Sequence, residues 1–195
     1  MIIGVDIDDT LSVLNKLKIK TAKNYIKKNN LPFKLVAPNK QFFSEMFDWS
    51  KEECNKFWVE WCDKMLEVAP PRKHVQKYIN KLREDGHKIV LITARSTDHL
   101  KDPVSLSVNW LNKHQISYDE LCVNNLEKTT ACLEKKVDVF IDDRVDHLLP
   151  LLPHNIKTIL METVSNKGQK EYSGDVVKNW KQVYKIISNL NKTNK

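Results

Sequence analysis

Ile2-Ile3-Gly4-Val5-Asp6-Ile7-Asp8-Asp9-Thr10-Leu11 decides how the rest of this 195-residue chain is read. Ile2, Ile3 and Val5 predict a short, fully buried strand. The run then turns acidic within one residue, and Asp6, Asp8 and Asp9 place three carboxylates in four positions at the strand's end. Like charges that close repel, and burial raises the cost of each. A divalent cation is the simplest compensation, because hard carboxylate oxygens suit Mg²⁺. The stretch therefore predicts a metal-dependent phosphate site. Asp6 and Asp8 are two apart, so in an extended chain both can face one side. One suits an ionised, metal-held nucleophile and the other a general acid and base.

Beyond residue 73 the chain alternates helix and strand. Val75, Tyr78, Ile79 and Leu82 recur at helical spacing, and Asp85-Gly86 closes that helix. Ile89 to Ile92 reads as a buried strand ending at Thr93-Ala94-Arg95. A helix marked by Val104, Val108 and Leu111 follows, with Trp110 beside its apolar face, and then a short strand at Leu121 to Val123. A short helix near Thr129 to Lys135 leads into a strand from Val137 to Ile141, which ends at Asp142-Asp143-Arg144. Ile156 to Met161 gives a fifth strand, Trp180 to Leu190 a final helix, and Asn191 to Lys195 a frayed tail. This alternation predicts an α/β core: a parallel five-stranded sheet covered on both faces, three layers in all. Ligands of such sheets sit at the carboxyl ends of the strands, where the polar clusters after Val5, Ile92 and Ile141 all fall.

Residues 13–71 differ from this pattern. A helix from about Asn15 to Asn30, with Leu17, Ala22, Tyr25 and Ile26 on its apolar side, is broken by Leu31-Pro32. Ser50-Lys51-Glu52-Glu53 fits a capping box ahead of a helix striped with Phe57, Trp58, Trp61, Cys62, Met65 and Leu66. Pro70-Pro71 ends the section. It reads as a helical insert after the first strand, which divides the chain into a core of residues 1–12 and 72–195 and a cap of residues 13–71. The cap holds three of the five tryptophans. Most of its rings build its own small core. The rings in its irregular part, Phe43, Phe47 and Trp49, are the candidates to stack on a flat substrate such as a nucleobase; helical spacing already accounts for Trp58 and Trp61.

Each polar element is weak alone, since an isolated Asp-x-Asp usually marks a turn or helix cap. Their order carries the weight: strand–DxDxT, strand–Thr93, Lys128, strand–Asp142-Asp143. Asp142 and Asp143 can complete an oxygen shell for Mg²⁺, and Thr93 offers a hydroxyl to a phosphate oxygen. Lys128 brings the positive charge that an anionic nucleophile and an anionic phosphoryl group require.

DIDDTL, LITAR, Lys128 and VFIDDR together resemble the haloacid dehalogenase (HAD) superfamily of phosphohydrolases, over Ile2 to about Met161. The resemblance implies a Rossmann-like core with a helical cap inserted after the first motif. It also implies that Asp6 attacks phosphorus to form an aspartyl-phosphate, while Asp8 protonates the leaving alcohol and then activates water. Mg²⁺ would be held by the Asp6 carboxylate, the Asp8 backbone carbonyl and Asp142, with Asp143 supporting them. Thr93, the Ala94 N–H and Lys128 would hold the phosphate. Within the superfamily, the aromatic cap, PPR at 70–72, ISYDEL at 116–121 and FIDDR at 140–144 are similar to the 5′(3′)-deoxyribonucleotidases, the cytosolic type C 5′-nucleotidases and their bacterial relatives. Two departures stand out: Asp9 where most HAD enzymes carry glycine, and Thr-Ala-Arg where animal deoxyribonucleotidases have Thr-Ser.

The expected function is a Mg²⁺-dependent phosphomonoesterase acting on nucleoside monophosphates. A phosphosugar or other small phosphomonoester is the alternative substrate. A non-catalytic HAD-scaffold binding protein is disfavoured, because both Asp6 and Asp8 are present. The net charge of +7 favours anionic partners. The only dense lysine run, Lys16 to Lys28, lies around much of a helix, so stable nucleic-acid binding, as by an end-processing phosphatase, is not expected. Cys54, Cys62, Cys122 and Cys132 form no CxxC pair and have no zinc spacing, which suggests buried free thiols. No signal-like N-terminus or apolar run of roughly 20 residues is present. A cytoplasmic protein without membrane contact is expected, and a homodimer is one option the sequence leaves open.

Overall fold

The computed structural model describes residues 1–193. In chain order its strands are β1 (Ile2–Val5), β2 (Lys88–Ile92), β3 (Glu120–Cys122), β4 (Val139–Asp142), β5 (Lys157–Met161) and β6 (Asp175–Val177). Its helices are α1 (Asn15–Lys28), α2 (Phe43–Met46), α3 (Lys51–Glu67), α4 (Val75–Glu84), α5 (Pro103–Lys113), α6 (Thr129–Glu134), α7 (Val145–Leu148) and α8 (Trp180–Thr193), with a 3₁₀ turn at Leu149–His154. The strands form one six-stranded parallel sheet in the order β3-β2-β1-β4-β5-β6. The expected α/β core with a parallel sheet is present, with one strand more than the five expected. β6 pairs only with β5 and buries one of its three residues, Val177, so no apolar run marks it. Helix α8 runs through Thr193, so the expected tail is helical at its start, and residues 194–195 lie outside the described residues. Among the described residues no helix is long and apolar enough to cross a membrane.

The chain leaves β1 toward β2 and β3 on one side and later fills β4, β5 and β6 on the other. The crevice at β1 and β4 is thus the point where the winding reverses. Strand residues alternate between two packed faces. Ile3, Val5, Ile89 and Leu91 pack with Ile79, Leu82, Trp180 and Val183, while Val90, Ile92 and Phe140 pack with Cys132, Leu148 and Leu151. A third cluster fills the helical insert: Tyr25, Phe43, Phe47, Trp49, Phe57 and Met65 are all buried there. Leu100, from the loop after β2, is buried in that same cluster and ties the two parts together. Ser50 caps α3 by accepting from the Glu53 N–H at 3.1 Å, whereas the Glu53 carboxylate turns to the Tyr25 hydroxyl instead of completing the box.

The insert is joined to the sheet at two adjacent crossings. Ser12 and Pro71 form an antiparallel bridge, with Val13 N–H donating to Pro70 O at 2.9 Å and Arg72 N–H to Leu11 O at 2.7 Å. Two buried tryptophans brace these crossings: Trp110 Nε1 donates to Ala69 O at 2.8 Å and Trp180 Nε1 to Thr10 O at 3.1 Å. All four cysteines are free; Cys54, Cys62 and Cys132 are buried and Cys122 is half-buried.

Gly4 is in register with Phe140 on β4, and a Cβ at Gly4 would lie 2.6 Å from Phe140 Cδ2 and 3.0 Å from Val137 Cγ1. Phe140 is fully buried and has no room to turn away. Gly4→Ala is therefore expected to destabilise the fold by about 1–3 kcal/mol through overpacking. Urea unfolding checks this, and an unchanged midpoint would show that the sheet face has slack.

Candidate active site

The site is built where β1, β2 and β4 end side by side. Asp6 N–H donates to Ile141 O at 3.0 Å, which continues the ladder one residue past β1 and sets the Asp6 carboxylate beside that of Asp142. The backbone then turns sharply, with Leu11 and Ser12 N–H both bonded to Ile7 O. Lys128, the residue before α6, is almost wholly buried, and its ammonium donates to Asp6 and, at 2.7 Å, to Asp142 Oδ2. His147, five residues beyond Asp142, lies 2.9 Å away with Nδ1 on the same Oδ2.

Burial pushes the Asp6 carboxyl up to about 6, with the neighbouring Asp142 and Asp8 charges adding to the rise and Lys128 opposing it. Burial also opposes the Asp142 charge, but Lys128 and His147 outweigh it and hold that group below the usual carboxylate range. Asp143 is raised well above that range by burial and by the charges of Asp142, Asp9 and Asp6. Lys128 remains an ammonium despite its burial because Asp142 and Asp6 face it.

Asp6, Asp142 and Asp143 each present one carboxylate oxygen within 4.8 Å of the others. One lysine cannot neutralise three buried carboxylates, and the raised Asp6 and Asp143 carry the excess. All the donors are hard oxygens, so the cluster fits a divalent cation such as Mg²⁺. Asp143 lies among these donors, not behind them. Its Oδ2 also accepts from Gln41 Nε2 at 3.2 Å, and its backbone carbonyl from Asn166 Nδ2 at 2.7 Å.

Asp8 points elsewhere. Its two oxygens are gripped by Arg95, Nε at 2.9 Å and Nη2 at 2.7 Å. Thr93 is buried at the end of β2 and its hydroxyl accepts from Arg95 N–H at 3.3 Å. Asp6, Asp8, Thr93 and Ala94 all line one cavity of about 300 Å³ between the sheet edge and the helical insert. Lys128 and Asp142 are buried and do not line it. Of the cap rings singled out from sequence, Phe43 lines the cavity. Phe47 and Trp49 do not: they stack on one another 4.9 Å apart inside the cap core. Trp58, which helical spacing had assigned to the core, does line it. Its ring stacks with His99 at 5.8 Å and 25°, and meets Phe43 edge-on at 5.4 Å.

Sequence reading missed Arg95, His147, Gln41 and His99. Arg95 carried a signal, because it is a charge directly after a buried strand that ends at the acidic edge. The other three had none, since their neighbours in space are remote in sequence or hidden in helices. Asp9, which stands where most HAD enzymes carry glycine, is a structural anchor. It sits at φ 59° in the left-handed region, where glycine is favoured. Its carboxylate accepts from Leu14 N–H at 2.6 Å and pairs with Lys18 at 3.2 Å, while its carbonyl takes two bonds from Arg72, at 3.0 and 2.6 Å. The acidic loop is thereby tied to both crossings of the insert.

The family model for 5′ nucleotidase, deoxy (pyrimidine), cytosolic type C protein matches residues 1–193. A nucleotidase of Clostridium acetobutylicum is 30% identical over 142 residues, 71% of this chain and 70% of that one. The crystal structure of a predicted phosphatase from Clostridium acetobutylicum superposes with a TM-score of 0.70 at 15% identity, covering 96% of this chain and 98% of the other. A HAD-type protein of Bacillus subtilis, solved bound to magnesium, superposes with a TM-score of 0.64 at 11% identity over 95% and 97% of the two chains. At these identities the two structures establish likeness of fold.

The anchoring by Asp9 can be separated from its backbone conformation. Asp9→Ala loses both side-chain contacts and keeps a Cβ in the left-handed region, so a loss of about 2–3 kcal/mol is expected. Asp9→Gly loses the same contacts but removes the strain, and should be about 1 kcal/mol more stable than Asp9→Ala. Equal unfolding midpoints for the two variants would contradict the strained anchor.

Proposed function

We propose a reaction for this chain on one premise: it belongs to the 5′ nucleotidase, deoxy (pyrimidine), cytosolic type C family of the HAD superfamily, and is a phosphoric monoester hydrolase. The reaction is hydrolysis of nucleoside monophosphates through a phosphorylated Asp6. One observation carries it: Asp6, held by Lys128, and Asp8, held by Arg95, both line one cavity that Phe43, Trp58 and His99 also line.

In the first half-reaction an Asp6 oxygen attacks phosphorus and the bond to the ester oxygen breaks. That oxygen keeps the bonding pair and takes a proton from Asp8, which enters this step protonated. In the second half a water oxygen attacks the same phosphorus, Asp8 takes a proton from the water, and the bond to Asp6 breaks to release phosphate. Lys128 orients Asp6 and offsets the charge that gathers on the phosphoryl oxygens. The Thr93 hydroxyl and Ala94 N–H bind those oxygens. Asp6, Asp142, Asp143 and the Asp8 carbonyl are the groups that would hold Mg²⁺, which supplies Lewis-acid stabilisation of the phosphoryl charge when bound. The Trp58–His99 wall receives the flat base by stacking, in place of Phe47 and Trp49.

A phosphate-release screen across nucleoside monophosphates and phosphosugars tests the reading. Nucleotides are expected to lead, activity should stop in EDTA, and Asp6→Asn should lose at least about 10³-fold in kcat while still melting as a cooperatively folded protein. A phosphosugar preferred over every nucleotide removes the nucleotidase reading. Activity retained by Asp6→Asn removes the covalent route. Trp58→Ala separately tests the stacking wall: KM for the preferred nucleotide should rise about tenfold while p-nitrophenyl phosphate is barely affected. An equal change for both substrates would place Trp58 outside base recognition.

A further inference from the structure

Arg95 is buried in a way its partner is not. Its side chain is 1% exposed, whereas Asp8 is 29% exposed toward the cavity. Solvent in the cavity could satisfy Asp8 unaided, so the cost of this ion pair falls on the guanidinium, which the fold removes from water. The guanidinium is also fixed at a third point. Nη1 donates to Ser107 Oγ at 3.1 Å, and that hydroxyl donates to Pro103 O at 2.7 Å in the first turn of α5. The Arg95 backbone N–H reaches Thr93 Oγ1. A planar fork held on three sides leaves the Asp8 carboxylate a single orientation, facing the cavity that Asp6 also lines.

We propose that Arg95 is the positioning residue for Asp8, and that Ser107 fixes Arg95 for that task. The role rests on the phosphomonoesterase reading above, in which Asp8 in its protonated form passes its proton to the ester oxygen as the phosphorus–oxygen bond breaks and, as the Arg95-held carboxylate, then takes one from the attacking water. A carboxylate free to rotate would meet that oxygen only part of the time, and a misplacement near 1 Å costs on the order of 10²-fold. The loss must depend on the leaving group. A nucleoside alkoxide needs the proton as it departs, whereas p-nitrophenolate departs readily without it.

The test measures kcat and KM for a nucleoside monophosphate and for p-nitrophenyl phosphate in the wild type and in Arg95→Ala, Arg95→Lys and Ser107→Ala, with thermal melts as folding controls. For Arg95→Ala the nucleotide kcat should fall about 10²-fold with KM nearly unchanged, and the p-nitrophenyl phosphate kcat at least about tenfold less than that. Arg95→Lys, which keeps the charge and loses the fork, should show a smaller loss with the same leaving-group bias, and Ser107→Ala a smaller one still. If Arg95→Ala does not fold, the bias in Arg95→Lys decides. Equal losses on both esters, no loss, or a rise in the nucleotide kcat would overturn the role of Arg95. A wild type inactive on both esters would overturn the phosphomonoesterase reading itself, and this role with it.

Discussion

Three carboxylates buried at one sheet edge cannot all stay charged without a counterion among them, and Lys128 supplies one. Its ammonium, closed off from water, donates to Asp6 and Asp142 together and fixes the spacing of two strand ends. Removing one partner from such a buried cluster typically costs about 3–5 kcal/mol, because the remaining charge is stranded. The cluster therefore constrains geometry more than it adds stability. It requires β1 and β4 to be neighbours, and it requires α6 to deliver Lys128 between them. It also leaves negative charge in excess, visible in the raised Asp6 and Asp143, and that excess is what suits the edge to a divalent cation and a phosphoryl group.

The same edge joins catalysis to the helical insert. Asp9 holds α1 through Leu14 and Lys18, Gln41 reaches Asp143, and Leu100 sits in the cap core. Arg144 lies over Phe42 at 5.3 Å from the other side. Each acidic residue of the first loop thus has a distinct partner: Asp6 with Lys128, Asp8 with Arg95, Asp9 with Lys18. Three similar side chains placed within four positions do different work because three different elements bring them their cations.

Much of this was legible in the chain. Apolar runs ending in acidic or hydroxyl residues marked β1, β2 and β4, since a strand buried on both faces must be apolar and its end at the ligand edge need not be. Even so, β6 escaped, because only Val177 of Asp175-Val176-Val177 is buried and no apolar run marks the strand. The cap rings divided differently from the expectation. Helical spacing assigned Trp58 to the core, and it does pack against the cap core, but its ring also lines the cavity and stacks with His99. Phe47 and Trp49 came from irregular sequence, which carries no facing information, and they turned inward.

By itself the sequence determined the α/β class; it also singled out residues 13–71 as a helical section and Asp6, Asp8, Thr93, Lys128, Asp142 and Asp143 as candidate polar groups at strand ends and loops. Hydrophobic period and residue chemistry are local properties, and each of these features can be read within a few positions. Only the tertiary structure decided which cation each carboxylate meets, that His147 and Arg95 join the site, and which aromatic rings face the cavity. Those outcomes depend on strand order and on the seating of α3, α5 and α6. Long-range packing sets both, between residues separated by as many as 122 positions in the case of Asp6 and Lys128.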